Sequence, residues 1–311
     1  MEQIRVAQGQ YRPDSVGVTG SERATVHLID SLPYVFRAFH SLPSSMRAPD
    51  GRPINAVHGF ASMLARYLEE EAPTHLALCF DESLNTSFRN DLYPDYKSSR
   101  PEADPELAEQ LALCRRVATA IGAPALADDR YEADDLIGTL CARALDAGCD
   151  VVVTTNDKDL GQLVGPHVTL YDFAKGMKLD ADGVRAKLGV RPEQVPDLLG
   201  LAGDAVDDIP GVRGVGAKSA IALLDAFDDL DAVYADLERV ETLPVRGAKS
   251  LRRKLAEGRE DAFLSRDLAR ISTEAPVSLE VDDLRWSGVD GPALDALCEE
   301  IGAERLRRRF P

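Results

Sequence analysis

Three acids, Glu132, Asp134 and Asp135, fall within four positions of one another in the stretch YEADDLIGTLCARALDAGC, residues 131–149. Carboxylates at that density suit two kinds of chemistry. At a helix N-terminus they complement exposed amides and the macrodipole; gathered in a cleft, they hold divalent cations. The stretch itself supplies a helix. Leu136, Ile137, Leu140, Cys141, Ala144 and Leu145 recur at three- and four-residue steps, the period of a helix with one buried face, and Gly148 ends it. On this stretch alone both readings stand.

The segments that must position these acids add more of them. Residues 24–30 (ATVHLID) and 74–81 (THLALCFD) are apolar runs closing on an acid, and 150–155 (DVVVTT) opens onto Asn156, Asp157, Lys158 and Asp159. Between the first two, Phe60, Met63, Leu64, Tyr67 and Leu68 keep helical spacing. Strand, helix, strand is the unit that builds parallel sheets, so this half is predicted to be α/β. Open parallel sheets bind ligands at the carboxyl edge of their strands, and Asp30, Asp81 and Asp157 each stand at or just past such an end. With Asp159 and the helix acids, seven carboxylates can converge there. Like charges so close in a poorly solvated cleft repel strongly unless cations neutralise them. Oxygen donors without His or Cys select hard ions, so Mg²⁺ or Mn²⁺ is the predicted occupant.

Two further stretches suit phosphate. SFRNDLYPDYKSSR, residues 87–100, interleaves Arg89, Lys97 and Arg100 with Phe88, Tyr93 and Tyr96, a mixture fit for backbone phosphates and stacked bases; a solvated loop is the plainer alternative. Near residue 203, Asp204, Asp207 and Asp208 precede a glycine-punctuated turn, Gly211, Val212, Arg213, Gly214, Val215, Gly216, and a helix is predicted over 217–227. This is a helix-hairpin-helix pattern, in which glycines admit a phosphate to the backbone and Lys218 lies in the first turn of the second helix. A dinucleotide fingerprint fails because no strand precedes the glycines and Ser219 replaces the third; a P-loop fails because Lys218 does not directly follow Gly216.

Across 311 residues the chain can bury one large domain or two. No run is long enough to span a bilayer and no export signal begins the chain, so a cytoplasmic protein is expected. Five scattered cysteines without a CxxC pair argue against zinc or a disulfide framework. The formal charge of -17 opposes phosphate binding on its face, yet acids collected around cations leave basic residues elsewhere free to meet phosphate. Basic clusters occur at Arg246, Lys249, Arg252, Arg253 and Lys254 and at Arg305, Arg307, Arg308 and Arg309; either can be a solvated face.

Taken together and in order, YVFRAF after Asp30, FDESLNTSFRNDLYPDYKSSR, YEADD, TTNDKDL and GDAVDDIPGVRGVGAKSA make a chain that resembles the 5′-nuclease family. That family includes the 5′-3′ exonuclease domain of bacterial DNA polymerase I, phage 5′-exonucleases and flap endonucleases. The resemblance implies a PIN-like, mostly parallel central sheet flanked by helices over residues 23–190, with a helical arch at 84–105. It also implies a helical helix-hairpin-helix DNA-binding part at 191–311, and it leaves 1–22 as a polar tail. It implies a two-metal phosphodiesterase acting on DNA 5′ flaps, nicks and ends and on RNA primers in replication and repair, nucleoid-associated; nothing in the sequence demands more than a monomer.

By position, Asp30, Asp81, Glu132, Asp134 and Asp135 would hold or orient the first ion, and Asp157, Asp159, Asp204 and Asp207 the second. Lys97 and Arg100, with Arg89 beside them, would steer the scissile phosphate. Tyr96 and the hairpin residues Gly211, Arg213, Gly214, Gly216, Lys218 and Ser219 would meet DNA, with K⁺ on hairpin carbonyls. Three departures stand out: Ser31 and Pro33 follow Asp30 where Gly is usual, Asp208 replaces a common Asn, and the chain ends without a polymerase, as a stand-alone member would. The alternatives are a PIN-like ribonuclease and a DNA-structure-binding protein with little catalysis.

Overall fold

The computed structural model describes residues 23–82, 86–101 and 104–311; the expected tail at 1–22 lies outside them. Strand β1 (Thr25–Asp30) leads to helices α1 (Leu32–Ser41) and α2 (Asn55–Glu71), strand β2 (His75–Cys79), the one-turn helix α3 (Arg89–Leu92) and α4 (Pro105–Ala120). Then come β3 (Ala125–Leu126), α5 (Ala133–Asp146), β4 (Asp150–Thr154), β5 (Val168–Asp172) and β6 (Met177–Leu179). The strands form one sheet in the order β3-β2-β1-β4-β5-β6, parallel throughout except for the β5–β6 pair. Strands covered on both faces need apolar side chains on both, which is why β1 and β2 read as continuous hydrophobic runs.

Register aligns the acids. Asp30 lies beside Cys79, and Ile29 beside Thr154, so the carboxyl ends of β1, β2 and β4 finish at one edge. On one face of the sheet α1, α2 and α4 bury Val35, Phe60, Leu64 and Val117. On the other, Leu136, Ile137 and Leu140 of α5 cover Val26, Leu28 and Val153. All five cysteines are free and buried.

After residue 180 the chain is helical: α6 (Ala181–Leu188), α7 (Val195–Ala202), α8 (Ala217–Ala226), α9 (Leu230–Ala235), α10 (Leu237–Val240), α11 (Ala248–Glu257) and α12 (Arg259–Ala269). Their core is continuous with the α5 face of the sheet, since Leu198, Leu223, Leu255 and Leu268 belong to the same buried cluster as Leu136 and Val153. Polar joints fix the docking. The Gln162 amide donates to Ala269 O and accepts from Ile271 N, both at 3.0 Å, and Ala275 N donates to Thr139 Oγ1 at 2.9 Å.

The expected division at 191–311 needs one correction. Beyond residue 270 the chain runs back over the first domain: Trp286 N donates to Thr74 O at 2.8 Å, its indole Nε1 to Ile121 O at 2.7 Å, and Asp290 N to Ala120 O at 3.0 Å. Helices α13 (Gly291–Glu300) and α14 (Glu304–Arg307) then place Leu294, Leu297, Ile301, Leu306 and Phe310 in the α2–α4 core. Buried apolar positions at helical spacing, not the basic flank, decide where this segment goes. Arg307 pairs with Asp295 at 2.7 Å and Arg309 donates to Ser62 at 3.1 Å, so two members of the terminal basic cluster serve this packing.

Candidate active site

The three acids of α5 divide by their place around the helix. Asp135 is fully buried and accepts from both Arg89 guanidinium nitrogens at 2.7 and 2.8 Å, from Ser272 N at 2.8 Å and from Glu132 N at 3.2 Å. Its oxygens are taken, so the expected role of Asp135 at a metal is replaced by a structural one. Arg89 changes with it. At 2% exposure it also donates to Leu268 O and Arg270 O, which makes it a buried joint between α3, α5 and the helical part, not a group reaching a phosphate. Burial opposes its charge, but Asp135 and Glu132 outweigh that and hold its pKa above the ordinary value.

Asp134, one residue earlier and about 100° around the helix, turns the other way. It lines a cavity of about 510 Å³ together with Asp30, Asp81, Glu132, Asp157, Asp159 and Asp207. Asp81 is held by Ala133 N at 2.9 Å, which ties the α5 N-terminus to the end of β2. Seven carboxyl groups share that wall with four basic groups, Arg37, Arg89, Lys97 and Arg100.

Electrostatics reports the crowding. Burial, then Asp81, pushes the Asp30 carboxyl up to about 8, with a Thr155 hydrogen bond partly offsetting it. Burial and then Asp157, Asp30 and Asp81 raise Asp134 well above the carboxylate range, and burial with Asp157 pushes Asp159 up to about 7. Glu132 goes the other way: burial works against its charge, but Lys97 and Arg89 lower its pKa.

Among the described residues no three His, Cys, Asp or Glu side chains are drawn together as a ready cation cage. Ammonium and guanidinium groups serve as counter-charges to Glu132, Asp207 and Asp204. Lys97 Nζ meets Glu132 at 2.7 Å, Arg100 meets Asp207 at 2.6 Å, and Lys158 meets Asp204 at 2.6 Å. An all-oxygen donor set with a surplus of mutually repelling carboxylates fits hard divalent ions in its chemistry.

The segment expected as a helical arch holds α3 and a run of turns among its described residues, and it closes onto the acids. Lys97 N donates to Asp207 O at 3.1 Å and Ser99 N to Asp208 Oδ2 at 2.8 Å, so the unusual Asp208 fastens this segment to the hairpin side. Lys97 and Asp208 both take left-handed backbone, at φ 55° and 54°. Tyr96 requires a correction. It is 4% exposed and its hydroxyl donates to Glu132 at 3.1 Å, so it orients a carboxylate and offers no face to a base. Ser31 and Pro33 leave α1 intact: Pro33 lies in the first helical turn, where a missing N–H is harmless, and Ser31 N donates to Cys79 O at 3.0 Å.

Asp204 and Asp207 lie in the loop after α7, closed by reciprocal Asp204–Ile209 backbone bonds of 2.8 and 2.9 Å. Gly211 follows at φ 60°, and a Cβ there would lie 2.3 Å from Gly203 N, so both conformation and contact demand glycine. Gly216 is the N-cap of α8, with Lys218 and Ser219 in its first turn. Arg213 and Gly214 are exposed, and Lys254 of α11 donates to Gly214 O at 2.8 Å.

Sequence reasoning missed Lys254 on the hairpin, Lys158 on Asp204, and Thr155 between Asp30 and Asp157. Only Thr155 left a local signal, a hydroxyl at the end of a strand two positions before an acid.

The chain matches known proteins along nearly all of this architecture. A model of the 5′-3′ exonuclease N-terminal resolvase-like domain matches residues 25–189, and one of the 5′-3′ exonuclease C-terminal SAM fold matches residues 190–292. DNA polymerase I of Pseudomonas aeruginosa is 41% identical over 280 residues, 90% of this chain and 30% of that protein. DNA polymerase I of Bacillus caldotenax is 41% identical over 287 residues, 91% of this chain and 32% of that protein. The chain thus spans about a third of the length of these relatives. Among solved structures, T5 5′-exonuclease with bound zinc ions aligns at TM-score 0.65 and 18% identity, covering 91% of this chain and 97% of that one. The catalytic core of Rad2 in complex with DNA substrate aligns at TM-score 0.59 and 16% identity, covering 93% of this chain and 91% of that one. At these identities the two structures speak for the fold.

Proposed function

The chain belongs to the 5′-3′ exonuclease family, and from that premise we propose that it is a metal-dependent, structure-selective 5′-3′ exonuclease and flap endonuclease. Its substrates would be phosphodiesters at 5′ ends, nicks and flaps of DNA and at RNA primers, in cytoplasmic replication and repair; among the described residues no helix is long and apolar enough to cross a membrane. The observation that carries this reading is the acidic cavity at the carboxyl edge of β1, β2 and β4, with Lys97 and Arg100 on its wall.

Asp30, Asp81, Glu132 and Asp134 would hold or orient a first Mg²⁺ or Mn²⁺, and Asp157, Asp159, Asp204 and Asp207 a second. Such ions, when bound, lower the pKa of an attacking water and neutralise charge at phosphorus. The chain's own groups do the rest. Lys97 and Arg100, paired with Glu132 and Asp207 here, are the cations that a phosphate would draw off once those carboxylates take other partners. Asp135 and Arg89 keep α5 and the helical part in one arrangement. The first turn of α8, with Lys218 and Ser219, together with Arg213, suits the duplex backbone, and K⁺ would take hairpin carbonyls. At Gly216 a Cβ would meet nothing within 4 Å, so the protein does not itself require glycine there, whereas close approach by a phosphate would.

The test is incubation with a 5′-flap DNA and a matching RNA, each with Mg²⁺ or EDTA. Cleavage of the flap only with metal is the expected result. Tight binding without cleavage in Mg²⁺ or Mn²⁺ would instead favour a DNA-structure-binding protein, a reading that draws on the ion pairs now engaging Glu132 and Asp207. Preferential cleavage of the RNA would favour a PIN-like ribonuclease.

A further inference from the structure

Thr155 touches both halves of the carboxylate set. It is the first residue past β4, 2% exposed, and its N–H donates to Tyr171 O at 3.1 Å, which fixes its backbone to the neighbouring strand. Its Oγ1 lies 2.8 Å from Asp30 Oδ2 and 2.9 Å from Asp157 N. Chemistry settles the direction of the two bonds. An amide can only donate, so Asp157 N–H uses a lone pair of the hydroxyl, and the hydroxyl's single proton goes to Asp30. Asp157 Oδ1 in turn accepts from Asp159 N at 2.8 Å, so one run of hydrogen bonds joins Asp30 to the turn carrying Asp157 and Asp159.

We propose that Thr155 is a positioning residue, whose hydroxyl sets the rotation of the Asp30 carboxylate and locks its spacing to the Asp157 turn. This rests on the reading of these acids as cation ligands given above. Ligating carboxylates need donors of this kind, because an unrestrained carboxylate samples orientations that a small, hard cation does not accept. A hydroxyl that merely satisfied the Asp157 amide would affect folding stability and nothing else.

Thr155→Val keeps the shape and removes both bonds; Thr155→Ser keeps the hydroxyl. Two quantities separate the roles: Mn²⁺ affinity of the protein alone by calorimetry, and kcat against KM on 5′-flap DNA at saturating Mg²⁺. The expected result for Thr155→Val is Mn²⁺ affinity weaker by roughly tenfold or more, kcat lower by a similar factor, and KM for DNA unchanged. Thr155→Ser should restore both. Should the valine variant fail to fold, Thr155→Ala deletes the same hydroxyl with less crowding and reads the same quantities. If wild type binds Mn²⁺ and a folded variant without the hydroxyl binds it equally and turns over equally, with only a lower melting temperature, the positioning role is overturned. If wild type binds no Mn²⁺ at all, the reading of the acids fails first, and the two failures are thus distinct.

Discussion

Replacing Asp30 by Asn should stabilise the protein in EDTA, although Asp30 is buried and hydrogen-bonded. The folded carboxyl is pushed from its ordinary 3.8 up to about 8, by burial first and by Asp81 second. At pH 7 the unfolded chain therefore carries the group ionised, while the folded chain must take up a proton. Each pH unit above 3.8 costs about 1.4 kcal/mol, so the penalty at pH 7 is about 4 kcal/mol at most. Coupling to Asp81 and Asp157 shares it, leaving an expected gain of about 2 to 4 kcal/mol for Asp30→Asn, which can still accept from Thr155. With roughly 2.1 cal/mol/K of unfolding entropy per residue, a chain of 311 residues should melt roughly 3 to 6 °C higher.

The sign can be checked independently. A raised carboxyl leaves stability intact below the unfolded pKa and erodes it as pH rises toward the folded one. The advantage of the variant should be small at pH 4, grow through pH 8 and then level off. Thermal melts of both proteins from pH 4 to 9 read this directly. Added Mg²⁺ should raise the wild type more than the variant and narrow the gap. A variant that melts lower than wild type at pH 7 to 8, or a gap that stays flat with pH, refutes the reasoning.

Arg89→Ala leaves Asp135 buried without its partner and should cost about 3 to 5 kcal/mol in urea unfolding; a loss below about 1 kcal/mol would remove the pair from its structural role. His27 is buried against the Tyr67 hydroxyl at 2.7 Å, and burial lowers its pKa to about 4. Because the unfolded imidazole protonates below about 6.5 and the folded one does not until about 4, wild type should lose up to about 3 kcal/mol between those pH values. His27→Gln should lack that slope, and identical pH profiles would exclude His27 as its source. Lys218→Ala should weaken duplex binding and flatten the plot of log affinity against log salt by about one unit, and an unchanged slope would place Lys218 away from phosphate.

Much of the architecture was legible because it rests on short-range pattern. β1, β2 and β4 are apolar runs ending at or just before acids, and α2 and α5 carry one-faced helical spacing, so the strand-end carboxylates fall where the α/β reading puts them. What was not legible depends on partners remote in sequence. Asp134 and Asp135 are indistinguishable by local spacing; only the arrival of Arg89, with Ser272 behind it, makes one structural and leaves the other on the cavity wall. Tyr96 looked like a stacking residue because aromatic and basic residues alternate around it, but Glu132 gives its hydroxyl a buried acceptor. The return of 286–310 over the first domain escaped because the arginines gathered at 305–309 read as a solvated face, while the apolar side chains spaced from Leu294 to Phe310 decide where it packs.

That return has a mechanical meaning. The helical part is an excursion anchored at both ends, leaving after β6 and coming home where Trp286 hydrogen-bonds to Thr74 and Ile121, and Arg89, paired with Asp135, bolts its last long helix through Leu268 O and Arg270 O. Neither half can melt without exposing the other's seam, so calorimetry should record one cooperative transition where two loosely strung units would give two. A shorter version ending near 270 would strip the lid from the α2–α4 side and loosen the sheet from which the acids project.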